Sequence, residues 1–397
     1  MTMRTYDVVV VGGGPSGSTA AHEMAKRGRS VLLIDKQGRV KPCGGAVPPQ
    51  LLVDFDVPRS MLVAEISQAR MVSPKGRNVD IPVGDGFVGM VDRGHFDEWL
   101  RQRAVDFGAD RATGFFDHIE RERDGGAVVC YRAEGSRHGE LQKVRARFVI
   151  GADGALSQVA KQEIPGAERV KHVFAYHEII ERPPESEARY DAKRCDVYYQ
   201  GHLSPDFYAW IFPHGATCSV GTGTFKKGFD MRAAIADLRA SSGLADAKTL
   251  KREGAPIPLT PLRRWDNGRD VVVAGDAAGI VAPASGEGIF YAMTGGRRAA
   301  EAVEEAIRTG RARALRSARR RFMWEHGQVF FVLDVMQSFW YQNDNRRERF
   351  VAICEDRDVQ QLTFDGYMRK KLVRAKPMSH MRIFFKNLSH LSGLAPT

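Results

Sequence analysis

The sequence predicts an α/β fold, in which a parallel nucleotide-binding sheet is interrupted by a mostly antiparallel sheet and followed by a helical C-terminal region. Three observations carry this expectation. The apolar run 6–11 enters Gly12-Gly13-Gly14-Pro15-Ser16-Gly17, residues 18–27 read as a helix, and a second apolar run, 30–34, stops at Asp35. Continuous short apolar runs of this kind mark strands covered on both faces. Late in the chain Val271-Val272-Val273 leads into Ala274-Gly275-Asp276, and a helical pattern follows over 287–308. Between these points, over 64–90 and 170–225, short strand-like runs alternate with turns, the pattern of an antiparallel insert.

The remaining elements fit this scheme. Residues 93–107 read as an amphipathic helix, and 148–150 as a further buried strand entering the turn Gly151-Ala152-Asp153-Gly154. The expected division is a discontinuous nucleotide-binding domain at 1–63, 91–169 and 254–310. A substrate domain takes 64–90 and 170–253, and a basic helical region takes 311–397. At roughly 150 residues per domain, 397 residues suit two to three such parts.

Composition removes several function classes. The hydrophobic share of 43% and charged share of 27% are those of an ordinary globular chain. The longest stretch without a charged side chain, 207–225, contains Pro213, His214 and several glycines, so no segment reads as a membrane-spanning helix. The opening Met1-Thr2-Met3-Arg4 passes directly into a strand pattern rather than a signal peptide. Cys43, Cys130, Cys195, Cys218 and Cys354 form no CxxC pair, which argues against a disulfide framework and suits a reducing cytoplasm. The histidines form no HxxxH or HxH pair, so no metal site is expected. No GxSxG elbow or Walker loop occurs.

The net charge of +11 points to an anionic partner. From Gly366 to Thr397 the chain has seven Lys or Arg and no Asp or Glu, and Met381-Arg382-Ile383-Phe384-Phe385-Lys386 interleaves cations with bulky apolar residues. Such interleaving suits a membrane surface better than a nucleic acid, with a plain solvated helix face as the competing reading, and no nucleic-acid partner is expected.

Two motifs carry chemistry. In Gly12-x-Gly14-x-x-Gly17 the glycines permit a tight turn, approach of a pyrophosphate and close helix packing, while the phosphates lie at the positive helix end. Asp35, 18 residues after Gly17, stands where an acid accepts hydrogen bonds from an adenosine ribose. The second motif, Gly275-Asp276 followed by Gly286-Glu287-Gly288-Ile289, can bring a carboxylate to a ribityl hydroxyl and helix amides to a reduced isoalloxazine. A third pattern, Tyr208-Ala209-Trp210-Ile211-Phe212, sends Tyr208 and Trp210 to one face of a strand. Core packing of that face is the competing reading.

Five segments in order, GGGPSG at 12–17, KPCGGA at 41–46, VDRGHFDEWL at 91–100, PDFYAWIFP at 205–213 and GDAAGIVAPASGEGIFYAM at 275–293, resemble the FAD-dependent geranylgeranyl reductase family. Its wider relatives are the para-hydroxybenzoate hydroxylase-like flavoproteins. PDFYAWIFP matches the family's PxxYxWxFP at every fixed position, and KPCGGAVPP with the basic C-terminal extension is similar to the branch that makes phytyl tails of chlorophylls and bacteriochlorophylls.

The resemblance implies a Rossmann-like FAD-binding domain and FAD as cofactor, with NADPH or reduced ferredoxin as electron donor. Gly12, Gly14, Pro15, Ser16 and Gly17 would hold the pyrophosphate, with Asp35 and Lys36 beside the adenosine ribose. A Glu is common in the family at this position, so Asp35 is a mild departure from its pattern. Cys43, Gly44, Gly45 and Ala46 would pass beside the flavin, and Arg93 would reach back to the cofactor. Asp276, Gly286, Gly288 and Ile289 would lie at the ribityl chain and ring. Tyr208, Trp210 and Phe212 would hold a prenyl chain, Tyr208 and Trp210 as a catalytic wall, and Cys43 would relay a proton, bend the substrate loop or simply pack as a small, inert thiol. The turn at Asp153-Gly154 would be architectural.

The implied reaction saturates three double bonds of a geranylgeranyl group on bacteriochlorophyll or on the free diphosphate. The implied partners are that substrate, a membrane surface and bacteriochlorophyll synthase, with the protein cytoplasmic and peripheral to the inner photosynthetic membrane. Three alternatives share parts of the pattern: an FAD monooxygenase, an archaeal-type prenyl-lipid reductase, and a non-catalytic pigment delivery factor.

Overall fold

The computed structural model describes residues 3–36, 41–84, 86–134, 137–183, 190–361 and 370. The chain divides into two compact units, one of Met1–Lys41, Arg93–His172 and Pro256–Gly327, the other of Pro42–Asp92, Val173–Ala255 and Gln328–Thr397.

In the first unit, five strands run parallel in the order Val271–Val273, Leu141–Gly151, Thr5–Val11, Val31–Asp35, Asp110–Arg121. Val8, Val9, Val10 and Val11 are at most 2% exposed. Full burial of one such side chain stabilises by roughly 1.5–3 kcal/mol, so this strand anchors the sheet. Two long strands leave the parallel ladder: the distal part of Asp110–Arg121 and the first half of Leu141–Gly151 pair antiparallel with Ala127–Ala133. The sequence reading placed only residues 148–151 of this meander, because its charged, alternating residues lack the continuous apolar run that marks the central strands.

The helix after the first strand begins at Pro15 and ends at Ala25, earlier than the expected 18–27. Gly14 is its N-cap, and proline suits the first helical turn because its φ is preset and its missing N–H would have no partner there. This helix packs on Arg93–Asp106 and on Ile289–Thr309, the two other helices read from sequence. Asp153 accepts hydrogen bonds from the backbone N–H of Gln158 (2.7 Å) and Val159 (3.2 Å), so the GADG turn starts the helix Gln158–Glu163.

The second unit holds a seven-stranded sheet in the order Thr249–Pro258, His172–Glu181, Thr217–Thr224, Ala209–His214, Arg194–Tyr198, Gln68–Val72, Asn78–Pro82. It is antiparallel except for Arg194–Tyr198 beside Gln68–Val72. Helix Met231–Ser241, which no sequence signal had singled out, covers one face, where Ile235 and Leu238 pack with Ala209, Ile211, Cys218 and Val220. A small sheet pairs Val88–Val91 with Ala46–Val47 and Leu62–Ile66.

That pairing moves a boundary. Residues 42–63, expected in the nucleotide-binding part, group with the second unit because 46–47 and 62–66 are strand partners of 88–91. The C-terminal region is likewise divided, residues 311–327 grouping with the first unit and 328–361 with the second. Its helices are Ser317–Trp340 and Asp344–Ile353, and the apolar and basic run 381–388 lies outside the described residues. Among the described residues no helix is long and apolar enough to cross a membrane.

His22, in the last turn of the first helix, meets Phe107 edge-on with ring centroids 4.5 Å apart. Burial, with Arg103 adding to it, lowers its pKa from 6.5 to about 4. Between these values the unfolded chain takes up a proton that the folded one refuses, so stability falls as pH drops from 6.5 towards 4. His22→Leu is expected to flatten this slope, measured as the difference in denaturant midpoint between neutral and mildly acidic buffer. A slope identical to that of the unaltered protein would contradict the assignment.

Candidate functional site

In the first unit the glycine turn is shaped by close approach. Gly12 has φ +102°, and a Cβ there would lie 2.3 Å from the Ala152 carbonyl oxygen. A Cβ on Gly17 would lie 1.8 Å from the oxygen of Gly12. Gly14 differs, since a Cβ there would meet nothing within 4 Å. No side chain caps the helix that begins at Pro15, and the buried hydroxyl of Ser16 has no hydrogen-bond partner. Open space, uncapped helix amides and an unsatisfied hydroxyl at a positive helix end form an anion cradle.

Asp35 ends the second strand and accepts the Gly13 N–H at 3.0 Å. Arg101 donates to its other oxygen at 3.2 Å and to the Gly13 carbonyl at 3.1 Å. Burial pushes the Asp35 carboxyl up, while the Gly13 N–H and Arg101 pull it back. Glu98 in turn accepts from Arg101 (2.9 Å) and Arg111 (2.6 Å), and those guanidiniums, Arg111 foremost, hold it down at about 2. Sequence reading missed Arg101, which lies on the same helix as Arg93 but carries no local motif of its own. Arg93 itself forks onto Asp97 at 2.8 Å through both contacts. Lys36 follows Asp35 and is exposed.

The late motif lies in the same unit. Asp276 is in a short turn between Gly275 and Gly279, both at positive φ, and its carboxylate accepts from the Lys41 ammonium. Gly286 has φ +66°, and Gly288 is the N-cap of Ile289–Thr309, again without a side-chain cap. A Cβ on Gly288 would make ordinary contact with the Val281 methyls, the nearer at 3.5 Å, and lie 4.0 Å from Asp276 Oδ1. Lys41 lies in KPCGGA, and only its pairing with the distant Asp276 reveals what it does.

The second unit carries the other predicted residues. Ala209 and Ile211 enter the core under helix Met231–Ser241, so the alternation sends Trp210 and Phe212 to the opposite face of their strand. Tyr208 and Trp210 meet edge-on at 5.9 Å, and Trp210 and Phe212 lie 6.0 Å apart. Phe207 stacks on Tyr208 at 4.2 Å. The loop Cys43–Ala46 packs on this row: a Cβ on Gly44 would lie 3.1 Å from the Phe212 ring, and one on Gly45 2.5 Å from His214 Nε2. Gly45 has φ +71° and donates its N–H to Cys43 Sγ at 3.4 Å.

Burial lowers the pKa of His214, whose ring contacts the Phe212 carbonyl at 3.0 Å through Nδ1. The two-residue spacing from Phe212 would have placed His214 in the row. Behind the row, fully buried Arg347 donates to the carbonyls of Ser204 (2.8 Å), Tyr341 (2.7 Å) and Pro205, and so fixes the turn leading into Tyr208.

One unexpected cluster lies elsewhere. His118, Glu120 and Cys130 bring one potential ligand atom each within 4.8 Å of one another. The cross-strand pair of His118 with Cys130 creates it, which sequence spacing could not reveal. Asp117 holds His118 at 2.7 Å and Lys143 holds both Glu120 oxygens at 2.8 Å, so internal ion pairs already neutralise the group.

A family model described as FAD-dependent oxidoreductase matches residues 7–161, and one described as FAD binding domain matches 90–323. The cradle fits that cofactor: Gly12, Gly14, Ser16 and Gly17 would hold its pyrophosphate and Asp35 its adenosine ribose. Gly14→Val is therefore expected to keep the fold, since its Cβ meets no protein atom, and to lose most of the bound FAD. Flavin absorbance per protein and the circular dichroism spectrum test this, and an FAD-replete variant would contradict the cradle.

Among curated proteins, a geranylgeranyl diphosphate reductase of Rhodobacter capsulatus is 56% identical over 391 residues, 98% of each chain. A geranylgeranyl diphosphate reductase of Synechocystis is 35% identical over 98% of this chain and 99% of its own. Among solved structures, a geranylgeranyl bacteriochlorophyll reductase-like protein of Thermoplasma acidophilum superposes with a TM-score of 0.81. It is 23% identical and covers 95% of this chain and 100% of its own, a likeness of fold. With the fingerprint, the late Gly-Asp turn and the aromatic row all in place, the chain belongs to the geranylgeranyl reductase family of FAD-dependent oxidoreductases.

Proposed function

We propose that this protein saturates three of the four double bonds of a geranylgeranyl group, giving a phytyl group on bacteriochlorophyll or on the free diphosphate. The observation that carries the reading is the full-length likeness to the Rhodobacter capsulatus reductase. The row Tyr208, Trp210 and Phe212 is its physical counterpart, an aromatic surface suited to an apolar chain.

When bound and reduced, FAD supplies hydride to one alkene carbon, and an acid supplies the proton to the other. An isolated alkene offers no carbonyl to polarise, so the protein's contribution is placement and exclusion of water. Tyr208, Trp210 and Phe212 hold the chain, and sliding along them presents successive double bonds. Cys43, at the head of the loop that packs on Phe212, is the proposed proton relay. Arg93, forked onto Asp97, is the residue that would reach back to the cofactor.

The electron donor is NADPH or reduced ferredoxin; the sequence holds no second GxGxxG fingerprint, so NADPH would bind without a Rossmann site of its own. The substrate's prenyl tail dissolves in lipid, and the basic, apolar run 381–388 would hold the enzyme at the inner photosynthetic membrane. Bacteriochlorophyll synthase is the proposed protein partner.

Anaerobic incubation of FAD-loaded protein with geranylgeranyl-bacteriochlorophyll or geranylgeranyl diphosphate, with NADPH, ferredoxin or dithionite supplying electrons, is read by mass spectrometry. Gains of two, then four, then six mass units are expected with one head group at least. No mass change with either head group under dithionite would contradict the proposal.

A further inference from the structure

We infer that Ser219 and His177 are positioning residues that lock the indole of Trp210, and that this lock sets how completely the prenyl chain is reduced. The second half rests on the proposed function; the first stands on geometry alone.

Three neighbouring strands of the larger sheet bring His177, Gly221 and Trp210 into one row. Gly221 of Thr217–Thr224 pairs with Trp210 on one side and with His177 on the other. The absence of a side chain at the centre of this row is necessary. A Cβ on Gly221 would lie 2.2 Å from Trp210 Cζ2 and 2.8 Å from His177 Cβ. The indole and the imidazole thus reach over the glycine from opposite sides, their centroids 6.4 Å apart.

Ser219, two residues earlier on the central strand, shares the face of Gly221 and closes the triangle. Trp210 Nε1–H donates to Ser219 Oγ at 3.1 Å, and Ser219 Oγ lies 2.9 Å from His177 Nδ1. All three side chains are buried.

The protons can be assigned from these contacts. The Ser219 oxygen accepts the indole N–H, so its single proton is available for His177 Nδ1. His177 Nε2 then carries the ring proton and faces the Glu253 carboxylate at 3.5 Å. The opposite tautomer would turn a lone pair towards that carboxylate. Desolvation disfavours the doubly protonated ring, whose pKa is lowered by burial. Lys251 pairs with the other oxygen of Glu253, and His214 is the second titratable ring near His177. The hydrogen-bonded chain runs from Trp210 through Ser219 to His177, with Glu253 near Nε2 but not hydrogen-bonded to it, and it fixes the rotation of the indole. A tryptophan with a fixed plane presents one surface to a sliding apolar chain, whereas a rocking one admits several registers.

The test uses the FAD-loaded full chain labelled with 15N-indole tryptophan, with Trp210→Phe to assign the Trp210 signal among the five tryptophans. In Ser219→Ala the Trp210 indole N–H signal is expected to move and to exchange faster with solvent, and Ser219→Thr, which keeps the hydroxyl, to restore it. With geranylgeranyl diphosphate and dithionite, Ser219→Ala is expected to raise the share of partly reduced products about fivefold, the factor that one ordinary hydrogen bond represents. In the Trp210→Phe background the same serine change is expected to add nothing.

An unmoved indole signal in Ser219→Ala overturns the lock. A product ladder like that of the unaltered protein despite a moved signal overturns its role, as does an undiminished serine effect in the Trp210→Phe background. Absence of prenyl reduction by the unaltered protein would instead overturn the proposed function, while the indole signal still decides the lock.

Discussion

The nucleotide-binding unit depends on how closely its backbone segments can approach Ser16. A Cβ on Gly296 would lie 2.1 Å from the Ser16 carbonyl oxygen, and one on Gly275 2.7 Å from Ser16 Cβ. The first strand's turn, the late Gly-Asp turn and the long helix Ile289–Thr309 therefore converge on one residue, and none tolerates a side chain at the contact. The same unit holds two helix N-termini without side-chain caps, at Pro15 and Ile289. Both present positive helix ends to whatever binds there. The same convergence leaves Gly14 open and Ser16 Oγ without a partner, so the structural constraint and the binding site have one origin.

The second unit solves a different problem, that of holding large aromatic side chains at fixed angles on one face of a sheet. The other face is conventional, with Ala209, Ile211 and Cys218 sealed under a helix. On the aromatic face small residues again decide the geometry. Gly44, Gly45 and Gly221 leave room for Phe212, His214 and Trp210 respectively. Arg347 anchors the turn before Tyr208 through backbone carbonyls, so the entry to the row is held by a cation that has no exposed surface.

Much of this was legible in the sequence, for identifiable reasons. Strands 5–11 and 271–273 announce themselves because burial on both faces demands continuous apolar residues. Gly12, Gly17 and Asp35 are readable because their spacing is imposed by one turn and one crossing. The meander of 110–151 was mostly missed, since its residues alternate and carry charge on the open side. Arg101, Lys41 and Ser219 were missed for another reason: their partners Asp35, Asp276 and Trp210 come from other elements, and no local spacing encodes such pairs. The placement of Cys43–Ala46 went to the other unit because strand partners for residues 46 and 47 arise only some forty residues later, at Val88–Val91.

The measurement that bears most directly on the account is anaerobic rapid mixing of the dithionite-reduced, FAD-loaded protein, freed of excess reductant, with geranylgeranyl diphosphate or geranylgeranyl-bacteriochlorophyll. The oxidised-flavin absorbance is expected to return on mixing with a prenyl substrate, and not to return with the same head group bearing a phytyl chain already reduced. Flavin that stays reduced with both prenyl substrates, yet reoxidises when oxygen is admitted, would contradict it.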